Sequence, residues 1–299
     1  MHPSVDHCYL HQTAGFVFPV SHRKYAAKGW HHKLHVKGSL KLNKIDFNHT
    51  GEAKTGSHRD ARRCECFDLY EDLIPYRVAW SWQKSLLRKR QTLVERGEDH
   101  SDTLIILQHQ PVYTLGTRSS EKFVKFDITS PPYDLYQTER GGEVTYHGPG
   151  QLVMYPIVNL RCHKMDIHWY LRSLEEVVIR TLFTTFSVKA SRIEGLTGVW
   201  VGNKKLAAIG IRVSRWITYH GLALNVSTDL APFQHIIPCG IHDREVGTLS
   251  DLLWGSVKEP AAENSLLMDA VHDSLLREFS EVFQLSIEHK TMADLNLLE

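Results

Sequence analysis

The stretch GVWVGNKKLAAIGIRVSRWITYHGLALNV, residues 198–226, leaves little choice of local structure. Apolar residues alternate on both sides of Gly202-Asn203, a pair suited to the tight turn of a β-hairpin. WITYHGLALNVS then adds another alternating strand. Neighbouring strands joined this closely must pair antiparallel. Other segments carry the helical period. After Pro75, LIPYRVAWSWQKSLLRKRQTLVERG places Tyr76, Ala79, Trp80, Trp82 and Leu86 on apolar faces. IHWYLRSLEEVVIRTLFTTF does so with Trp169, Leu171, Leu174, Val177, Val178 and Leu182, and AAENSLLMDAVHDSLLREFSEVF is a third long amphipathic helix. DTLIILQH reads as a buried strand, QTERGGEVTYHGPGQLVMYPIVNL as strand, Gly/Pro turn and strand, and FQLSIEH as a closing strand. Helices and hairpins alternate irregularly, without a doubly wound βαβ beat. The expected class is α/β in the α+β sense, with one domain built on a mixed, mainly antiparallel sheet flanked by helices.

Residues 1–65 differ from the rest. They hold 9 of the 19 histidines, and residues 1–63 contain 11 Lys/Arg against 4 Asp/Glu. Net charge over the whole chain is only +1, which does not suit a nucleic-acid binder. A basic, acid-poor start is the pattern of an organelle transit peptide. Residues 1–65 are therefore read as a leader, disordered or removed, and 66–299 as the folded domain. HHKLH in the leader has no finger or zincin spacing, and no metal site is expected. The five cysteines, Cys8, Cys64, Cys66, Cys162 and Cys239, are odd in number and scattered, which argues for a reducing compartment.

Two segments concentrate chemistry. Arg140-Gly141-Gly142-Glu143-Val144-Thr145-Tyr146-His147-Gly-Pro-Gly-Gln151 sets glycines, which let a backbone approach a ligand, beside Arg, His and Gln. It is neither a Walker loop nor a GxGxxG turn, and a tight β-turn is the plain alternative. Cys239 stands between Pro238 and Gly240. A thiol of reference pKa is about 3% ionised at pH 7, so a nucleophilic role needs a cation or base beside it. Otherwise a lone Cys is a small buried apolar residue. Lys204, Lys205, His220, His235 and His242 are the candidate neighbours.

Taken together, RGGEVTYHGPGQLVMYP, GVWVGNKKLAAIGIRVSRWITYHGLALNV and DLAPFQHIIPCGI, with HQPVYTLGTR upstream, closely resemble the lipoyl(octanoyl) transferases. CECFDLYEDLIPYRVAWSWQK is most similar to the plastid forms of plants. The resemblance implies the fold of biotin and lipoate ligases and a ping-pong acyl transfer through a cysteine thioester. The donor would be octanoyl-acyl carrier protein. The acceptor would be a lysine on a lipoyl domain of a 2-oxoacid dehydrogenase E2 subunit or on the glycine cleavage H protein. Neither ATP nor a metal cofactor is expected. Cys239 matches the nucleophile and Lys205 the lysine that activates it, with Lys204 expected to be solvated. Substrate contacts match Arg140 through His147, then Ala208, Ile209 and Gly210, then Gly221, Leu222 and Ala223. His147 and His220 are candidates for polarising the carbonyl or steering Lys205, and Asn225 for fixing a loop near the thiol. The implied address is the plastid, with the mitochondrion as alternative. Two rivals are an ATP-dependent lipoate or biotin ligase on the same fold and a non-catalytic carrier-protein-binding module.

Overall fold

The structure, a computed structural model, describes residues 61–238, 244–255 and 260–296. Twelve strands are found among these residues: β1 (Arg62–Ile74), β2 (Ser101–His109), β3 (Val112–Leu115), β4 (Asp134–Gln137), β5 (Thr145–His147), β6 (Gln151–Ile157), β7 (Ser191–Ile193), β8 (Leu196–Val201), β9 (Lys204–Ser214), β10 (Ile217–Asn225), β11 (Glu245–Val246) and β12 (Leu285–Lys290). Five helices accompany them: α1 (Tyr76–Arg96), α2 (Ile167–Phe186), α3 (Leu249–Trp254), α4 (Ala261–Phe283) and α5 (Met292–Asn296).

The main sheet runs in the order β12-β1-β2-β6-β10-β9-β8-β7, and β11 adds to β9. Pairings from β2 to β7 are antiparallel, whereas β1 pairs β12 and β2 in parallel and β11 pairs β9 in parallel. A second sheet has the order β4-β3-β5. The mixed, mainly antiparallel sheet with flanking helices is the expected class. β1 begins at Arg62, four residues ahead of the boundary read at 66. Cys64 and Cys66, given no role from sequence, lie buried in the core on that strand.

The helices start and stop where local chemistry requires. α1 follows Pro75, whose fixed φ suits a helix entry, and ends at Gly97 in the left-handed conformation. The Asp166 side chain accepts from the Trp169 backbone N–H at the start of α2, at 3.0 Å. β6 sits in the middle of the sheet, and every one of its residues is buried. Alternation sends Leu152 and Met154 towards a core shared with α2 and α4, and Val153, Tyr155 and Ile157 towards one shared with α1. Each fully buried aliphatic side chain contributes about 1.5–3 kcal/mol relative to exposure. Trp80, read as apolar face, is instead half-buried. Its indole N–H donates to Glu139 and the Lys84 ammonium lies 3.7 Å from its ring centre.

Two features aim the sheet at one place. After Asn225 the chain leaves β10, runs through a short 3-10 helix at Ala231–His235, and returns as β11 beside Lys204 and Lys205. On the way, Val124 bridges Ile236 and the Ile237 N–H donates to the Phe123 carbonyl at 2.8 Å. Cys239 lies outside the described residues. The stretches on either side of it are held, one against 123–125 and the other against the start of β9.

Candidate active site

A narrow slot lies where β9 and β10 meet the small sheet. It is a cavity of about 500 Å³, part of it open to solvent. One wall is Arg140, Gly141, Gly142, Glu143 and Val144, continuing into Thr145 and His147 of β5. Ala208, Ile209 and Gly210 come from β9, and Gly221, Leu222 and Ala223 from β10, with His220 beside them. Tyr76 of α1 and Val153 and Tyr155 of β6 complete the lining. The structure thus brings three separated sequence segments around one void. Tyr146 is the exception in the first of them. It points to the opposite face of β5 from Thr145 and His147, and packs among Tyr113, Tyr133 and Phe233.

The Arg140 guanidinium builds the loop rather than projecting into open space. It donates to the Thr114 carbonyl at 2.7 Å and to the Thr114 hydroxyl at 2.8 Å. It also donates to the carbonyls of Gly141 and Glu143 at 3.0 and 2.9 Å. The Gly141 N–H donates to the Ile211 carbonyl at 2.9 Å, so the loop lies directly on β9. A Cβ at Gly210 would sit 2.8 Å from the Gly141 carbonyl oxygen, so that approach needs glycine.

A β-bulge decides which lysine lies on the slot's side of the sheet. Val199 pairs with Ala207 and Trp200 with Lys205, leaving Leu206 as the extra residue. Leu206 and Ala207, though consecutive, both enter the core under α2 and α4. Lys205 is thereby turned to the side of Ala208 and Gly210. Its side chain is buried and runs over Gly198, with Nζ 5.2 Å from the Trp200 ring centre. Lys204 is half exposed and lies 4.0 Å from Glu245. Gly198 has φ +130°, and its N–H is fixed by the buried Glu175 carboxylate at 3.0 Å.

Three buried histidines surround the slot. The His109 Nδ1–H donates to the Ile74 carbonyl at 2.8 Å, so Nε2 accepts from the Tyr155 hydroxyl at 2.7 Å. Gln151 donates through Nε2 to Asn225 Oδ1 at 2.8 Å and to the Tyr146 carbonyl. Its Oε1 therefore faces His147, whose Nδ1 carries the proton at 2.7 Å. Asn225 in turn donates to the Gly247 carbonyl at 3.1 Å. A chain of amides so connects His147 in the slot to the segment returning from Cys239. His220 has φ +57° inside a strand, a strained position for a residue with a Cβ. Neither ring nitrogen has a hydrogen-bond partner among the described residues. Burial pushes the His109 pKa down to about 4 and, with Arg140 and Lys84 nearby, the His220 pKa down to about 3. Burial, together with the Arg140 charge, holds His147 well below the ordinary range. All three are neutral near pH 7, able to donate or accept a hydrogen bond but not to supply a charge.

Sequence reasoning missed Tyr76, His109, Tyr155 and Glu175, and marked Gln151 only as part of the glycine-rich segment. His109 and Tyr155 stood inside the quoted motifs, and Tyr76 was assigned to the core. Nothing local in the sequence marked Glu175, because its partner Gly198 is 23 residues away.

Against this geometry, comparison with known proteins is decisive. Residues 75–280 match the family model described as lipoyl protein ligase A/B catalytic domain. The chain is 62% identical over 236 residues to the chloroplastic octanoyltransferase LIP2p2 of Arabidopsis thaliana, covering 79% of this chain and 84% of that protein. The chain belongs to the octanoyltransferase family. The octanoyltransferase of a Synechocystis species is 49% identical over 218 residues, covering 73% and 89%. As an acyltransferase of this family, the chain serves lipoyl or octanoyl transfer in protein lipoylation. Among solved structures, a lipoate-protein ligase A bound with ATP matches with a TM-score of 0.57 at 17% identity, covering 80% of this chain and 92% of that one. A bipartite lipoate protein ligase from Thermoplasma acidophilum matches with a TM-score of 0.55 at 18% identity, covering 79% and 91%. Those two likenesses establish the shared fold.

Two outcomes are expected. Gly198→Ala would place a methyl 2.5 Å from Lys205 Cε and 2.7 Å from the Ala207 carbonyl, at a φ that L-residues avoid. Octanoyl transfer should fall at least about tenfold while far-ultraviolet circular dichroism stays near wild type, since Lys205 lies on the slot's side of β9 and a shift of about 1 Å in a site is enough. The second concerns acid stability. Histidines with depressed folded pKa values stay unprotonated while the unfolded chain, near 6.5, takes up protons. Stability therefore falls as pH drops below about 6.5 towards the folded values. His272 opposes this: although burial works against it, hydrogen bonding to Asp68 raises its pKa. Three depressed histidines outweigh the one raised, so stability falls from pH 6 to pH 5. Urea midpoints at the two values measure it, and an unchanged midpoint would contradict the neutral histidine cluster.

Proposed function

We propose that this chain moves an octanoyl group from octanoyl-acyl carrier protein to a lysine of a lipoyl domain through a thioester on Cys239. The observation that carries the reading is the slot itself, lined by small and apolar residues of β9 and β10, with buried Lys205 on the same side of the sheet. Burying an eight-carbon chain there would contribute up to about 5–6 kcal/mol at ~0.8 kcal/mol per CH₂.

In the first half-reaction an ammonium beside the thiol favours the thiolate. The Cys239 thiolate adds to the carrier thioester carbonyl, the old carbon–sulfur bond breaks, and the carrier thiolate takes its proton from the Lys205 ammonium, leaving Lys205 neutral for the second step. One thioester replaces another, so the step is nearly balanced in free energy and calls for no ATP. In the second, the acceptor lysine amine adds to the enzyme thioester. Lys205 takes the amine proton, the Cys239 carbon–sulfur bond breaks, and an amide forms. Amide formation from a thioester drives the sequence forward. Neutral His147, with its proton held on Nδ1 by Gln151, leaves Nε2 as an acceptor only. In this tautomer it suits orientation of an amine or hydroxyl better than stabilisation of an oxyanion.

The acceptor would be an E2 lipoyl domain or the glycine cleavage H protein. The named relative is chloroplastic and residues 1–65 are basic, so the plastid is the address we infer. A fusion of residues 1–65 to a fluorescent reporter should enter plastids, and mitochondrial signal would select the alternative.

Incubation with octanoyl-acyl carrier protein alone should leave one octanoyl mass on the protein, seen by intact mass spectrometry. Cys239→Ala should abolish it, and an adduct on that variant would place the nucleophile elsewhere. Lys205→Ala should slow acylation by about 10²-fold or more, and Lys204→Ala by far less. Activity that demands ATP and free lipoate would favour a ligase.

A further inference from the structure

The slot has a built end. β9 and β10 pair Ala208 with Ala223, Gly210 with Gly221 and Ile211 with His220. Lys205 stands beyond Ala208 at one end, and His220 at the other. From the level of Ala208 to that of His220 is three residues, about 10 Å at strand spacing. An extended eight-carbon acyl chain is about 9 Å long at ordinary carbon–carbon bond lengths.

His220 is held there by its backbone. On β6 the residue opposite it is Pro156, which has no N–H, and a Cβ at Gly221 would collide with the Met154 carbonyl and the Pro156 ring. β10 yields at this point, and His220 takes φ +57°. Its N–H is accepted by Gln83 Oε1, from α1, at 2.8 Å. Gln83 is fully buried, a polar residue on the apolar face of an amphipathic helix. With Oε1 committed, its Nε2 has no partner among the described residues, and the same is true of both His220 ring nitrogens.

We propose that His220 is the end wall that sets the length of the acyl chain, and that Gln83 is the positioning residue that holds this wall. A longer chain would have to displace the imidazole and bury methylene groups against unpaired polar nitrogens, which costs both strain and hydration. An eight-carbon chain stops short of it. This inference rests on the octanoyl-transfer reading above.

The test compares octanoyl-, decanoyl- and dodecanoyl-acyl carrier protein as donors, measured as kcat/KM on the full chain. Octanoyl transfer by the wild-type protein checks the underlying reading, and its absence would sink that reading independently of the end wall. Given that activity, His220→Gly, which tolerates the left-handed backbone, should reduce the preference for octanoyl over dodecanoyl by at least about tenfold, the discrimination a few methylenes provide. His220→Asn serves the same purpose should the glycine variant fail to fold. Gln83→Met should reproduce the loss of preference, whereas Gln83→Glu, which keeps an oxygen facing the His220 N–H, should retain it. In the His220→Gly background, Gln83→Met should add less than about twofold, as expected of residues acting as one unit. The proposal is overturned if His220→Gly keeps the wild-type chain-length profile, or if Gln83→Met lowers stability alone and leaves the profile unchanged.

Discussion

The seating of the Arg140 guanidinium is the tie on which the slot depends. Its donors are spent on the Thr114 carbonyl and hydroxyl and on the carbonyls of its own loop. This joins the small sheet to the loop, and the Gly141–Ile211 hydrogen bond joins the loop to the main sheet. A guanidinium suits the task because it presents several donors in fixed directions and does not lose its charge. Take it away and a set of buried carbonyl oxygens would face one another unpaired, at about 1–3 kcal/mol each.

Around that tie the polar groups form directional chains rather than ion pairs. Ile74 fixes the tautomer of His109, and Gln151 fixes that of His147. Asn225 extends the second chain to Gly247, one residue past the point where Lys205 meets β11. The consequence for chemistry is a site whose histidines are neutral by burial and whose buried lysine lies on the slot's side of β9. Arg140 supplies fixed positive charge along the slot wall, and the His220 imidazole at the far end is polar but neutral.

Much of this was legible before any coordinates. The hairpin at Gly202-Asn203, the amphipathic helices after Pro75 and Asp166, and the central buried strand of β6 follow from period and punctuation. The Arg140–His147 segment was marked as ligand-approaching by its glycines, and Gly210 does admit the loop backbone. Gly221 was legible as small but not for its reason, which is the proximity of Met154 and Pro156. β1 was not read as a strand, because it is defined by its pairing with β12 and β2, which lie far along the chain. Gln83 gave a signal, a buried amide on an apolar stripe, but its meaning required a partner 137 residues away.

The sequence by itself determined which residue types could do acyl-transfer chemistry, their order, and the strands that carry them. Local pattern is enough for that, since period and turn chemistry act over a few residues. It did not determine which face each presents. Strict alternation along KKLAAIGI would put Lys204, not Lys205, on the side of Ala208 and Gly210. The extra residue at Leu206 reverses that parity, and only the pairing of β8 with β9 creates it. A bulge is a mismatch between two strands, and a single strand cannot encode a mismatch with a partner it has not yet met.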